Sequence, residues 1–404
     1  MEDGVVGFLA INCATGVTFG TFGPALAMIE TEFGVTRAAT SSALGLVYLA
    51  LGLVSPLVGM ALQRFSIRSV MIAGAILNIL GNLLLAEANN FALVASAYAL
   101  LIGPGVCLLS VIPVSLMISR WFDKDRGKAL GLANMLLFLT IWPPIAAVLI
   151  LSGGRPLLFL SLAAIFALLI PILSLIVEPS DAGTDIEPNA AGQDFLPIRS
   201  LLANGSFWIV SLAIGVMSGA STIFAVHSVS MATSKGIDLP SAASLMSAFG
   251  LAAILGAMAF GWLADRIGPF LALAINAAAL VLCWLSLTLA DGLPMMVGLS
   301  AIIGLCLGAL VPLHGMALSH LFRAANVGRA MGFGYFIMVP FLFGAAPLAG
   351  FLFDRTRSYD TVLLTVSCAL AGAALGFGRL AISERGKSTS QTLRRAVPGD
   401  GAPS

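Results

Sequence analysis

Titratable side chains inside long apolar runs are where this chain offers chemistry, and two histidines stand there, His227 and His314. An imidazole gives or takes a proton near neutral pH. Keeping one inside an apolar helix is expensive, so such residues tend to mark substrate or proton paths. His227 falls near one end of its run and His314 in an end third of its own, so each suits a gate as well as a central ligand. His320 falls in a polar connection, where an exposed histidine needs no special role. The uncharged candidates are Asn12 and Thr15, three residues apart and so on one helix face, with Tyr48, Asn134, Ser221 and Tyr335 on other runs. Such groups recognise a small polar molecule by hydrogen bonding. For the hydroxyls the alternative is a bond to the preceding helical turn, and Asn78 and Asn82 read as ties between helices. No nucleophile–base pair accompanies them, and no His/Cys cluster with metal-ligand spacing, so neither an enzyme, a metal nor a cofactor is expected. The five cysteines lie in apolar runs and read as packing residues.

The elements that must position these groups are membrane helices. Of 404 residues, 59% are hydrophobic and 10% charged, and mean hydropathy is +1.02, which no water-soluble domain matches. Crossing a hydrocarbon core takes about 20 apolar residues per helix. Runs bounded by charged or turn residues give six helices at roughly 4–29, 40–62, 68–87, 91–118, 128–151 and 155–177. A polar stretch over 178–205 reads as a linker with a short surface helix near its end. Six more follow at roughly 206–232, 240–263, 269–290, 293–318, 329–353 and 358–380, and residues 381–404 read as a short, polar, disordered tail. The expected organisation is two six-helix bundles, 1–177 and 206–380, joined by the linker. Glu2 and Asp3 precede the first run with no basic residue, so it reads as a helix and not as a cleaved signal.

Lys and Arg placement sets the orientation. With both termini cytoplasmic, Arg64, Arg68, Arg120, Lys124, Arg126, Lys128, Arg199, Arg266, Arg323, Arg329 and the tail lie inside. Arg37, Arg155, Lys235, Arg355 and Arg357 lie outside, a strong positive-inside bias. Net charge is +1, with no basic surface, which excludes a nucleic-acid partner. GMALQRFSIRSV, from Gly59, lies 202 residues before GWLADRIGPFLA, from Gly261. SRWFDKDRGKALGL, from Ser119, is echoed by SHLFRAANVGRAMGF, from Ser319. Parallel repeats of this kind imply two like bundles with a cavity between them.

GWLADRIG, Gly261 to Gly268, resembles the signature loop of the major facilitator superfamily. Asp3-Gly4, RWFDKDRGKALGLA from Arg120, and PLAGFLFDRTRSYD from Pro347 resemble its monocarboxylate transporter and oxalate-formate antiporter group, over nearly the whole chain. The resemblance implies an all-α membrane fold of twelve helices related by pseudo-twofold symmetry. Helices one, four, seven and ten would then line the cavity, and each of helices one, four and ten carries glycines with a proline: Gly16, Gly20, Gly23 and Pro24; Gly103, Pro104 and Gly105; Gly304, Gly308 and Pro312. Close helix packing is the other use of such glycines. Asp265 can accept hydrogen bonds from a neighbouring helix N-terminus while Arg266 pairs with an acid or a lipid phosphate, locking the cytoplasmic end. In the first bundle the acid's place holds Gln63, with Arg64 and Arg68 retained, so an asymmetric gate is expected; Arg126 of the second motif joins this gating set. The group's substrate-binding lysine, arginine and acid fall here on Ala25, Ala257 and Ala253.

The expectation is an alternating-access carrier of a small organic metabolite in a cell membrane, taken as bacterial from its compact loops, and acting as a monomer. A monocarboxylate-like acid is the substrate class implied by resemblance, and an exporter of neutral or amphipathic compounds is the alternative. Protons remain an open coupling ion. A transporter-like sensor would carry a soluble signalling domain, which the short tail does not supply.

Overall fold

The computed structural model describes residues 2–121, 137–176, 198–322 and 324–396, all helices and short connections. Eleven helices among these are long and apolar enough to cross a membrane. The longest, Leu137–Ser174, has 38 residues and runs about 57 Å at 1.5 Å per residue, nearly twice the hydrocarbon thickness. It is two spans. Helical geometry fails at Gly153 (φ −153°) and Gly154 (φ +65°), the second a conformation that glycine adopts without strain. The spans are α1 (Val5–Phe33), α2 (Arg37–Arg64), α3 (Ile67–Glu87), α4 (Phe91–Ile118), α5 (137–152) and α6 (155–174) in one bundle. In the other they are α7 (Gly205–Ser234), α8 (Leu239–Ile267), α9 (Pro269–Thr288), α10 (Leu293–Leu321), α11 (Arg329–Thr356) and α12 (Asp360–Glu384).

Helix ends follow local chemistry. Thr36, Ser66, Asn90, Asn204 and Asp238 each accept a hydrogen bond from a backbone N–H of the turn they cap. Gly34 ends α1 in the left-handed region. The two 12-residue repeats occupy equivalent places, the end of α2 into α3 and the end of α8 into α9. Each bundle has its own buried apolar cluster.

Breaks within the spans also repeat. α4 is interrupted at Ser110 (ψ −138°) and α10 at Ala309 (ψ −10°), each three residues before a proline. Pro113 and Pro312 lack the N–H that would bond Leu109 and Gly308, so the helix parts there. π-Turns over Asn12–Val17 in α1 and Ala97–Ile102 in α4 add further irregularity.

Three expectations change. The tail is not disordered from 381: the last helix continues to Ala396, with no proline before Pro398 to stop it. His320 lies in the last turn of α10, paired with Glu384 on that extended helix. Asn78 and Asn82 donate within α3, to the carbonyls of Gly74 and Asn78, whereas Asn276 of α9 donates to the Cys306 carbonyl of α10 at 2.9 Å and so does tie two helices. The linker is described only from Ile198, where a short helix reaches Leu202. The Ser119 motif falls mostly outside the described residues.

Candidate functional site

The bundles meet along α2 against α11, α1 against α7, and α5 against α8. Small residues make this approach possible. A Cβ on Gly350 would lie 2.7 Å from the Ala38 nitrogen, one on Gly45 2.6 Å from the Phe343 carbonyl, and one on Gly23 2.9 Å from the Ala225 carbonyl. All three contacts belong to the half of the molecule nearer Arg37. Along α2 the contact then fades: Gly52 finds only Val339 at 3.7 Å, and Gly59 of α2 and Gly332 of α11 find nothing within 4 Å. The bundles are therefore closed together at the Arg37 end and separated along α2 and α11 at the Arg64 end.

A polar network seals the closed end. The Asp354 carboxylate of α11 accepts from the backbone N–H groups of Arg37 (3.2 Å) and Ala38 (3.0 Å), the first turn of α2. That is a charge on the positive end of a helix from the opposite bundle. The Arg37 guanidinium is held by Glu30 at 2.8 Å, lies over the Phe353 ring at 4.0 Å, and donates to the Tyr359 hydroxyl at 2.9 Å. Tyr359 in turn lies 3.2 Å from His227 Nδ1, while His227 Nε2 lies 3.0 Å from the Ala346 carbonyl and 3.3 Å from Ser41 Oγ. A carbonyl only accepts, so Nε2 carries the proton and Nδ1 accepts from Tyr359. The donors then run one way, from Arg37 through Tyr359 and His227 to Ala346. Burial raises the Tyr359 hydroxyl to about 12, which keeps it a donor.

Between the ends, the facing groups are uncharged. Tyr48 stacks on Phe19 of α1 at 5.1 Å, and its hydroxyl faces Thr222 of α7. Thr15 lies half-buried one turn from Phe19 and bonds the Ile11 carbonyl; Ser221 is half-buried on α7. Among the described residues no Lys, Arg, Asp or Glu lies in the middle of a span. Ala25 is fully buried, and Ala253 packs against Gly308, where a Cβ would come 2.1 Å from its carbonyl.

The other candidates distribute unevenly. Asn12 is fully buried, donating to the Phe8 carbonyl and accepting from the Phe138 N–H of α5 at 2.9 Å, so it ties α1 to α5. His314 and Tyr335 do meet, edge to face at 5.7 Å. Gly304 and Gly308 serve close packing of α10 on α8. Asp265 is exposed and makes no hydrogen bond or ion pair among the described residues, and Arg266 lies over Trp262 of its own helix at 3.9 Å. Gln63, Arg64 and Arg68 are exposed. Asn134 and Arg126 lie outside the described residues. Among the described residues Asp265 therefore has no cross-helix partner, and the polar contacts between the bundles described above lie at the Arg37 end. In the sequence Arg37 stands out only as one of the outer charges, and Asp354 and Tyr359 only as members of the motif from Pro347.

Residues 8–339 match the Major Facilitator Superfamily. Monocarboxylate transporter 13 of Bos taurus is 32% identical over 346 residues, 79% of this chain and 74% of that relative. Monocarboxylate transporter 12 of Rattus norvegicus is 27% identical over 384 residues, 83% and 76% of the two chains. The uncharacterized MFS-type transporter YcxA of Bacillus subtilis (strain 168) is 24% identical over 360 residues, 83% and 84%. Among solved structures, a mutant of the nucleoside transporter NupG superposes with a TM-score of 0.73 at 14% identity, over 94% of this chain and 98% of that one, which speaks to fold alone. Two six-helix bundles, repeated loop motifs and the family match agree: this chain is a multi-pass membrane transporter and belongs to the Major Facilitator Superfamily.

Proposed function

We propose that the chain carries a small organic metabolite across a cell membrane by alternating access, and that the arrangement described is the inward-facing one. The observation that carries this reading is the asymmetry of the interface, sealed by the Arg37–Asp354–Tyr359–His227 latch at one end and parted at the other. Lys and Arg enrichment at the parted end supports placing it, with both termini, in the cytoplasm. In the opposite state the latch opens, and Asp265 closes the cytoplasmic end. One chain supplies both walls of the cavity, so the working unit is a monomer.

The names of the relatives support a monocarboxylate-type acid as substrate. A neutral compound is the second reading, favoured by the uncharged middle at Thr15, Tyr48, Ser221 and Thr222, because a carboxylate without a cation or an array of donors is costly to desolvate. Uptake into sealed proteoliposomes, with labelled monocarboxylates and neutral analogues of matched size, with and without an inward proton gradient, decides between them. Saturable uptake of acids establishes the first, uptake of neutral analogues alone the second, and no saturable flux of either overturns both.

A further inference from the structure

At the Arg37 end the second bundle holds a cavity of about 260 Å³, enclosed by the ends of α7, α9, α10, α11 and α12. Its floor is apolar, made by Met231, Leu287, Met296 and Leu363, each buried and each from a different helix. Its rim is polar and exposed, with Ser234, Lys235, Arg357 and Asp360. An apolar floor under a few polar groups is the usual form of a small-molecule site, and the volume lies just under the range of about 300–1,000 Å³ common for such sites.

The rim decides the charge of the ligand. The Lys235 ammonium donates to the carbonyls of Leu287 (3.2 Å) and Ala290 (2.6 Å) at the end of α9, which leaves one of its three N–H groups. The Asp360 carboxylate accepts from Ser358 Oγ at 3.0 Å. The Arg357 guanidinium makes no hydrogen bond or ion pair among the described residues. Arg357 is also the one non-glycine residue among them with positive φ, +56°. For an arginine that conformation is strained, and it persists only where its surroundings hold it. An unpaired planar donor above an apolar floor suits a carboxylate carried on a small apolar body.

One wall belongs to the latch as well. Phe353 and Tyr359 line the cavity, their rings 4.6 Å apart, and on their other side they hold Arg37, whose guanidinium lies over Phe353 and bonds the Tyr359 hydroxyl. An occupant packs against the two rings that Arg37 uses. We propose that this cavity binds a small organic carboxylate through Arg357 and that the bound acid braces the latch closed. The binding stands apart from the transport reading; the bracing rests on it.

Photolabelling tests both parts, on the full-length protein in phosphatidylcholine nanodiscs, whose headgroups carry no net charge. The probes are a diazirine-bearing benzoate and the matching benzyl alcohol, with labelled residues read by mass spectrometry. Benzoate label should appear at Met231, Met296 or Leu363 and be displaced by unlabelled benzoate. It should exceed the label from the alcohol about tenfold, the scale of one charge-assisted hydrogen bond. Arg357→Gly should erase that preference without lowering the thermal midpoint, because glycine takes positive φ freely. Ser234→Trp, at the exposed rim, should block both probes. Label found only near Thr15, Tyr48 and Ser221, no label at all, or cavity label indifferent to Arg357→Gly would each overturn the site. Asp354→Asn, which lines no part of the cavity but loosens the latch, should raise the benzoate concentration needed for displacement; an unchanged concentration would overturn the bracing. Labelling needs no flux, so its failure is distinct from a failure of the uptake assay.

Discussion

Replacing Asp354 with Asn tests whether the latch at the Arg37 end holds the bundles together. The carboxylate accepts two backbone N–H groups at 3.2 and 3.0 Å from the first turn of α2, and Asn keeps the shape and one acceptor while removing the charge. Hydrogen bonds to a charged group contribute about 1.5–3 kcal/mol against about 0.5–1.5 for neutral ones. Two weakened bonds thus remove about 2–3 kcal/mol from the closed arrangement, part of it the favourable field of the helix N-terminus. At about 1.4 kcal/mol per tenfold, the balance between closed and open shifts about 30- to 150-fold toward opening at this end. Spin labels on Thr31→Cys and Asp291→Cys read that shift as a distance distribution, one on each bundle at the exposed margin of the same end. Cys368, the exposed native cysteine, is replaced by Ser beforehand. A second, longer distance should grow to a major share in Asp354→Asn. If the distribution matches the unsubstituted protein in lipid, the carboxylate is not what closes this end.

Tyr359→Phe cuts the donor chain between Arg37 and His227; the same labels should show a smaller opening, worth about 1–2 kcal/mol. Because both substitutions act on Arg37, the double variant should open less than the sum of the two. Gly308→Ala places a Cβ 2.1 Å from the Ala253 carbonyl, so α8 and α10 must separate, and the thermal midpoint in detergent should fall by the equivalent of at least about 1–3 kcal/mol. Asp238 caps α8 at the surface, and its hydrogen bonds from Ser241 hold the carboxyl below its ordinary value. The cap is therefore intact above about pH 4 and is lost as pH falls through the lower folded-state value; amide exchange at Ser241 and Ala242 should quicken there, and in Asp238→Ala should be fast at every pH.

Much of the architecture is written in apolar periodicity and repeated motifs. Twelve spans, their approximate ends, the two like bundles and the places of His227 and His314 along their helices all follow from run length and the spacing of charged residues, because a bilayer admits few alternatives. That Ala25, Ala253 and Ala257 stand where the resembled group carries its lysine, acid and arginine can be read directly from the sequence. Which polar groups meet cannot. Asn12 and Thr15 share a face by spacing, yet one is consumed in tying α1 to α5 and the other lies half-buried near Phe19 and Tyr48. Arg37 and Tyr359 lie 322 positions apart, and no local pattern couples them; they meet because Gly45 and Gly350 let α2 and α11 touch at one end. Helix formation depends on neighbours in sequence and was determined there. The latch depends on how completed helices cross, which only close packing of the two bundles decided.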